Sequence, residues 1–76
     1  MNRLEALAIL AQENQLRPRH IQIIEQLLSG KNLTETAEEL GISYRTAKNH
    51  MERIYSLGGW RNFHQVASSI MDIMER

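Results

Sequence analysis

Apolar residues recur at helical spacing in five segments of the chain, separated by short polar or glycine-containing stretches. These segments cover about residues 2–14, 18–29, 33–40, 44–57 and 63–76. None of them alternates β-branched or aromatic residues with polar ones, as a half-buried strand does. The pattern therefore predicts an all-α protein of five helices.

Residues that begin and end helices stand at the boundaries of these segments. Pro18 suits the first position of the second helix. Asn32 and Asn62 each precede a Glu or Gln by three residues, which is the arrangement of a capping box. Ser43 can cap the fourth helix. The glycines that follow the second, third and fourth helices, where C-terminal glycines are expected, are Gly30, Gly41 and the pair Gly58–Gly59.

The third and fourth segments together have the spacing of a helix-turn-helix motif. A short helix, a turn of three or four residues containing Gly41, and a longer helix form this motif. Ala37 is small enough to let the two helices approach closely, and Ile42 is expected to return to the core. This arrangement would hold the second of the two helices, about residues 44–57, at an angle suited to a DNA major groove.

Projection of the fourth segment at 100° per residue separates an apolar face from a polar one. The apolar face carries Ala47, Met51 and Ile54, and His50 lies near its boundary. The polar residues are of the types that contact base edges and phosphates. The candidate DNA-binding residues are Ser43, Tyr44, Arg45, Thr46, Lys48, Asn49, Glu52 and Arg53. The same residues are compatible with a merely solvated face, in which Glu52 pairs with Lys48.

The helices at the two chain ends have two interpretations each. In the first helix, Leu4, Leu7, Ala8 and Ala11 form a stripe that either covers the core or contacts a partner. In the last helix, the apolar residues either pack on the domain's own core or form the seam of a homodimer that reads two half-sites about one DNA turn apart. The candidate dimer residues are Val66, Ile70, Met71, Ile73 and Met74.

Length and cysteine content restrict the function classes. The 76 residues suffice for one small domain, with little room for a deep substrate pocket, which argues against an enzyme. Cysteine is absent, as fits a reducing compartment. The apolar run at residues 4–11 is short and interrupted by Glu5, so we expect no signal peptide, no membrane association and a cytoplasmic location.

The charge balance is the main argument against nucleic-acid binding. Nine basic and nine acidic residues give a net charge of zero, whereas DNA-binding domains are usually basic. The charges are unevenly distributed, however: three glutamates cluster at residues 35–39, and three cations lie at residues 45–53. A neutral total is compatible with a molecule that has one positive face.

No pattern of metal-binding or catalytic residues is present. The histidines at positions 20, 50 and 64 match no zinc-binding spacing, and no glycine-rich phosphate loop occurs. Asp72 is the only aspartate, so these residues hold no phosphoacceptor receiver domain. We expect no catalytic residue, metal, cofactor or small-molecule ligand.

Several short motifs follow one another without gaps between Leu16 and Ala67. They are Leu16-x-Pro18-Arg19, Gly30, residues 35–43 (ETAEELGIS), residues 46–50 (TAKNH), Ile54-Tyr55, Gly59, Arg61-Asn62 and Val66-Ala67. In this register the chain resembles the C-terminal DNA-binding domain of the LuxR/FixJ/GerE family. The resemblance implies a helix-turn-helix domain of four helices over residues 16–76, with an extra N-terminal amphipathic helix over residues 1–15, in a small stand-alone regulator similar to GerE.

The resemblance also implies DNA binding through the fourth helix of this chain and, as often in the family, dimerisation through the last. By position it implies that Thr46, Lys48, Asn49 and Glu52 contact DNA. Some residues depart from the family pattern. Arg17 replaces a threonine cap, His20 replaces a glutamate, and Trp60 replaces a small aliphatic residue. Gly58 replaces a leucine, and we expect this change to loosen the end of the recognition helix.

Two functions from different classes are consistent with these sequence features. The first is a sequence-specific transcription regulator that binds double-stranded DNA as a homodimer. The second is a protein-interaction module that keeps the helix-turn-helix fold but binds another regulator or RNA polymerase. The second is supported by the zero net charge, by Thr34 in place of a lysine that supports phosphate binding, and by Glu52 where some relatives have a basic contact.

Overall fold

The computed structural model describes all residues, 1–76, and contains five α-helices and no β-strand. The helices are α1 (Arg3–Asn14), α2 (Pro18–Leu28), α3 (Leu33–Leu40), α4 (Tyr44–Gly58) and α5 (Phe63–Met74). This confirms the predicted all-α fold, with an extra N-terminal helix before four helices of the helix-turn-helix type. The longest helix, α4, has 15 residues, fewer than a bilayer span requires.

Local side chains satisfy the first amide groups of each helix. In four helices the side chain before the first turn accepts a hydrogen bond from an amide three residues later. These residues are Asn2, Asn32, Ser43 and Asn62. In α2 the Arg17 side chain does not cap; instead, Nδ1 of His20 accepts from the Arg17 N–H at 3.1 Å. Histidine thus takes the place of the glutamate in one half of a capping box.

A single apolar core joins α1, α2, α4 and α5. It consists of Ala6, Leu7, Leu10, Leu16, Ile23, Ile24, Met51, Ile54, Val66, Ile70 and Ile73. Helix α1 packs on α5, α3 packs on α4, and α2 contacts both α3 and α4. The helix-turn-helix pair is therefore held on one side of the molecule, and α1 and α5 close the core on another.

Helix α1 buries a face that overlaps only in part with the predicted stripe, of which Leu7 is buried and Ala11 packs against the core. Ala6, Leu7 and Leu10 are buried, whereas Leu4 is 63% exposed and Ala8 is also exposed. Residues 6–11 are all apolar, so periodicity alone does not choose the face, and the contact with α5 chooses it instead. Of the two interpretations of α1, the structure confirms the one in which the helix covers the core.

The C-terminal ends of α1 and α5 are joined by an ion pair. Both terminal nitrogens of the Arg76 guanidinium donate to the Glu13 carboxylate, at 2.8 and 3.2 Å. This bidentate contact lowers the pKa of Glu13 and raises that of Arg76. Both side chains are exposed, so the pair orients the helix ends more than it stabilises the fold.

Gly58 and Trp60, which both depart from the family pattern, are in contact. The Trp60 ring lies over the Cα of Gly58, where any Cβ would overlap the ring atoms. The indole Nε1–H donates to Oγ of Ser69 on α5 at 2.9 Å, which holds the ring in place. Helix α4 continues through Gly58 and ends at Gly59, whose φ is 70°. That Gly58 loosens the end of the recognition helix stays a prediction.

Candidate nucleic-acid interface

The turn between α3 and α4 spans Gly41 to Ser43. Gly41 has a φ of 68°, the left-handed conformation that glycine adopts most easily. The amide groups of Gly41 and Ile42 both donate to the carbonyl of Ala37, which closes the end of α3. Ile42 is half-buried rather than part of the core. Ala37 is 3% exposed at the contact between the two helices, as its small size predicted.

Helix α4 has one buried and one exposed face. Ala47, Met51 and Ile54 are buried, as predicted. All eight candidate DNA-binding residues are exposed, and we call them the polar face of α4. They are Ser43, Tyr44, Arg45, Thr46, Lys48, Asn49, Glu52 and Arg53. The structure thus brings the whole predicted set to the surface of a single helix.

The long side chains of the polar face have no partners within the protein. Arg45, Asn49 and Arg53 take part in no side-chain hydrogen bond, and the two ion pairs of the chain lie elsewhere, at Lys31–Glu39 and Glu13–Arg76. The Lys48–Glu52 ion pair that the sequence allows is not formed. The donors and acceptors of this face are therefore free to bind a ligand.

The two hydroxyl groups at the start of α4 are oriented by each other. Oγ of Ser43 accepts from the Thr46 amide at 3.0 Å and donates to Oγ1 of Thr46 at 2.9 Å. Ser43 is therefore committed to capping, while the hydroxyl hydrogen of Thr46 remains available. Of these two predicted contacts, Thr46 is the better placed to donate to a phosphate.

An apolar groove of about 430 Å³ borders the polar face. Its lining residues are Leu27, Lys31, Leu33, Tyr44, Lys48, Met51, Glu52, Tyr55 and Phe63. Tyr44 is 53% exposed, whereas Tyr55 is half-buried, and burial raises the pKa of its phenol. Tyr44, Lys48 and Glu52 thus belong both to the polar face and to the lining of this groove.

Two histidines meet between α2 and α4, a contact to which the sequence pattern gave no role. The rings of His20 and His50 lie edge to face, with their centroids 5.6 Å apart. Burial lowers the pKa of His20, and the nearby charges of His50, Arg17 and Arg53 lower it further. The only sequence signal was His20 itself, which stands where the family pattern has an acidic residue.

The predicted dimer residues divide into two groups. Val66, Ile70 and Ile73 are at most 3% exposed and belong to the core of the single chain. This corrects their assignment to a seam between chains, because α1 of the same chain packs on α5. Met71 and Met74 are 60% and 37% exposed, so they remain accessible to a second molecule.

No group of three or more His, Asp or Glu side chains lies close enough to hold a metal ion.

Comparison with known proteins gives one match. The family model GerE, which describes bacterial regulatory proteins of the luxR family, matches residues 14–72. No curated protein and no solved structure was found to match the chain. The matched stretch covers most of the 76 residues and contains α2, α3 and α4 entire. This protein belongs to the LuxR family of bacterial regulatory proteins, whose domain is a helix-turn-helix that binds DNA.

Proposed function

We propose that this protein is a sequence-specific transcription regulator that reads double-stranded DNA with α4. The observation that carries the proposal is the polar face of α4, which is exposed over all eight residues and has long side chains without internal partners. Such a helix fits a major groove, and its angle is held by the packing of α3 and α2 against its buried side. The function requires no catalysis and no cofactor, and it is exerted on DNA in a bacterial cytoplasm.

The residues of the polar face divide by chemistry into two roles. Arg45, Asn49 and Glu52 are of the residue types that hydrogen-bond guanine, adenine and cytosine edges, respectively. Thr46, Lys48 and Arg53 are suited to phosphates, which position the helix without specifying sequence, and Ser43 and Tyr44 support them at the start of the helix.

A binding selection tests this function. Purified protein is mixed with a random duplex library at about 0.1 M salt, where contacts at short range are little screened. Recovery of one preferred motif supports a sequence-reading regulator. A folded protein that recovers no motif contradicts it.

We also propose that the protein acts as a homodimer. The support is the exposed apolar surface of Met71 and Met74 on α5. A dimer would give a two-fold-symmetric motif with half-sites about one turn apart. Met71→Glu places a charge on this surface and should shift the mass measured by light scattering from dimer to monomer. Leu4→Glu, at an exposed apolar residue of α1, is the matched control, and equal masses for both variants contradict this seam.

The second candidate function is a protein-interaction module that binds another regulator or RNA polymerase. The apolar groove beside α4 favours it, because Leu33 and Phe63 expose part of their surface there in a chain of zero net charge. The salt dependence of duplex binding separates the two functions. Phosphate contacts make log affinity fall with log salt by roughly 0.9 per phosphate neutralised, whereas an interaction module would show no duplex binding.

A further inference from the structure

His20 and His50 meet where the first turn of α2 lies against the middle of α4, and Arg17 and Arg53 lie near enough for their charges to act on His20. The two histidine rings are in edge-to-face contact at 5.6 Å. The charges of Arg17, His50 and Arg53 all act on His20, and no carboxylate, including the three glutamates of α3, is among them. We call this group the α2–α4 basic cluster.

The positive charge of this cluster is not neutralised within the protein. Both ion pairs of the chain lie outside it. Arg17 and Arg53 are exposed, and neither side chain donates a hydrogen bond to the protein. Only the backbone N–H of Arg17 is bound, by Nδ1 of His20, and its guanidinium stays free. Uncompensated cations that converge on one place create a local positive potential, which attracts an anion even when the net charge is zero.

One ring nitrogen of His20 has no hydrogen-bond partner within the protein. The residue is only 5% exposed, and Nδ1 is occupied by the Arg17 amide. Nε2 has no partner in the chain, yet no buried side-chain nitrogen or oxygen lacks a hydrogen bond. It follows that Nε2 reaches the surface, where it can donate to a ligand while the rest of the ring stays fixed by packing.

We propose that the α2–α4 basic cluster binds one backbone phosphate of the DNA, beside the groove that α4 enters. This rests on the DNA-binding function proposed above and adds α2 as a second element that holds the duplex. Arg53 belongs both to the cluster and to the polar face of α4, so one phosphate held there lies next to the bases that Asn49 can reach. A phosphate diester is an acceptor-only anion, and it matches four side chains that donate.

Binding of a phosphate at the α2–α4 basic cluster is coupled to protonation of His20. In the free protein His20 is held neutral at pH 7 by burial and by the positive groups that face it: Arg17 beside α2, and His50 and Arg53 from α4. A phosphate at the cluster favours the charged imidazolium, in which the added proton lies on Nδ1 and the hydrogen bond from the Arg17 amide is given up. DNA binding then takes up a proton, and the affinity rises as the pH falls below about 7.

The test uses the full chain and a duplex that the wild type binds. Arg17→Gln removes one cation without removing a cap, and His20→Gln keeps an acceptor for the Arg17 amide but loses the titrating ring. Arg3→Gln, on α1, is the control with the same loss of charge. Affinity is measured by fluorescence anisotropy in chloride salts over a range of salt concentration and pH, after circular dichroism has shown that each variant is folded.

For Arg17→Gln we expect several-fold weaker binding at about 0.1 M salt, equal for all duplex sequences, and a salt slope shallower by about 0.9. Arg3→Gln should bind as the wild type, and His20→Gln should flatten the pH dependence. Equal slopes for Arg17→Gln and Arg3→Gln overturn the phosphate site, as does a pH dependence that His20→Gln leaves unchanged. Failure of the proposed function is distinguishable, because the wild type itself would then bind no duplex.

A second experiment distinguishes binding of the DNA backbone from binding of a free anion. The ring proton signals of His20 and His50 are followed by NMR over pH in chloride, in inorganic phosphate and in the presence of duplex. The proposal expects duplex alone to raise the pKa of His20. A rise of the same size in millimolar inorganic phosphate shows a site for the free anion and overturns the assignment to the DNA backbone.

Discussion

The α1–α5 side of the molecule and the α3–α4 side differ in burial: the first is apolar and closely packed, and the second exposes polar side chains. On the first, Leu7, Leu10, Val66, Ile70 and Ile73 are almost completely buried, and the helix ends are tied by the Glu13–Arg76 ion pair. On the second, α4 keeps only a narrow buried stripe and leaves its polar side chains unpartnered. Stability and the proposed recognition of DNA thus lie on separate sides of a chain too small to have two domains. Mutations on the α1–α5 side should therefore lower the free energy of unfolding, whereas mutations on the polar face of α4 should lower the affinity for DNA.

The greatest loss of stability is expected on the apolar side. Leu10→Ala removes a side chain that is 1% exposed from the contact between α1 and the core. We expect the free energy of unfolding to fall by about 2–5 kcal/mol, because transfer and cavity terms add. Urea denaturation measures it. Leu4→Ala, at 63% exposure, is the control and should stay within about 0.5 kcal/mol; a larger loss at Leu4 would contradict the face assigned to α1.

A smaller loss of stability is expected at Gly58, near the end of α4, where the Trp60 ring connects α4 to α5. Gly58→Ala places a methyl group against the Trp60 ring, which Ser69 holds. We expect a loss of about 1–3 kcal/mol from overpacking, although alanine by itself favours a helix by about 1 kcal/mol. The double variant Gly58→Ala with Trp60→Leu should recover most of this loss in thermal unfolding. If Gly58→Ala alone is more stable than the wild type, the ring does not constrain the end of α4.

On the polar side, Lys48→Ala should leave stability unchanged and weaken DNA binding. The side chain is exposed and takes part in no ion pair, so its removal costs the fold little. If Lys48 holds a phosphate, the variant binds all sequences about equally less tightly, and the salt slope falls by about 1. Titration of the duplex in several salt concentrations checks this. Unchanged affinity would show that Lys48 belongs to a merely solvated face.

The weakest effect expected is the dependence of stability on pH. The pKa of His20 is lowered in the folded protein from an ordinary value of 6.5. The unfolded chain therefore binds more protons than the native one below that pH, and the stability falls as the pH drops from about 7 towards 5. His20→Gln should have a flatter stability profile over this range in urea titrations. A steeper profile would mean that His20 is charged in the native state.

The boundaries of the helices could be predicted because their signals are local. Asn32, Ser43, Gly41 and Asn62 act on groups within a few residues, so the sequence alone indicates where α3, α4 and α5 begin or end. The two faces of α4 were also predictable, because its apolar residues occupy a single stripe. In α1 the apolar residues nearly encircle the helix, and only the position of α5 decides which of them is buried.

Contacts between residues of different elements could not be predicted from periodicity. His20 and His50 are 30 positions apart, and nothing local indicates that their rings meet. Trp60 and Gly58 each depart from the family pattern, but the contact between them depends on how the chain turns after α4. For the predicted dimer residues on α5 the partner could not be predicted either, since an apolar stripe does not reveal whether it packs on α1 or on a second chain.

A parallel binding selection with the wild type and Asn49→Ala decides whether α4 reads bases. Asn49 is exposed, lies on the polar face and has no internal partner. If α4 reads bases, both proteins recover the same motif except at one position in each half-site, where the variant loses its preference at a cost of about 1–3 kcal/mol. Two identical motifs, or none from folded protein, would contradict the claim that this face of α4 reads DNA.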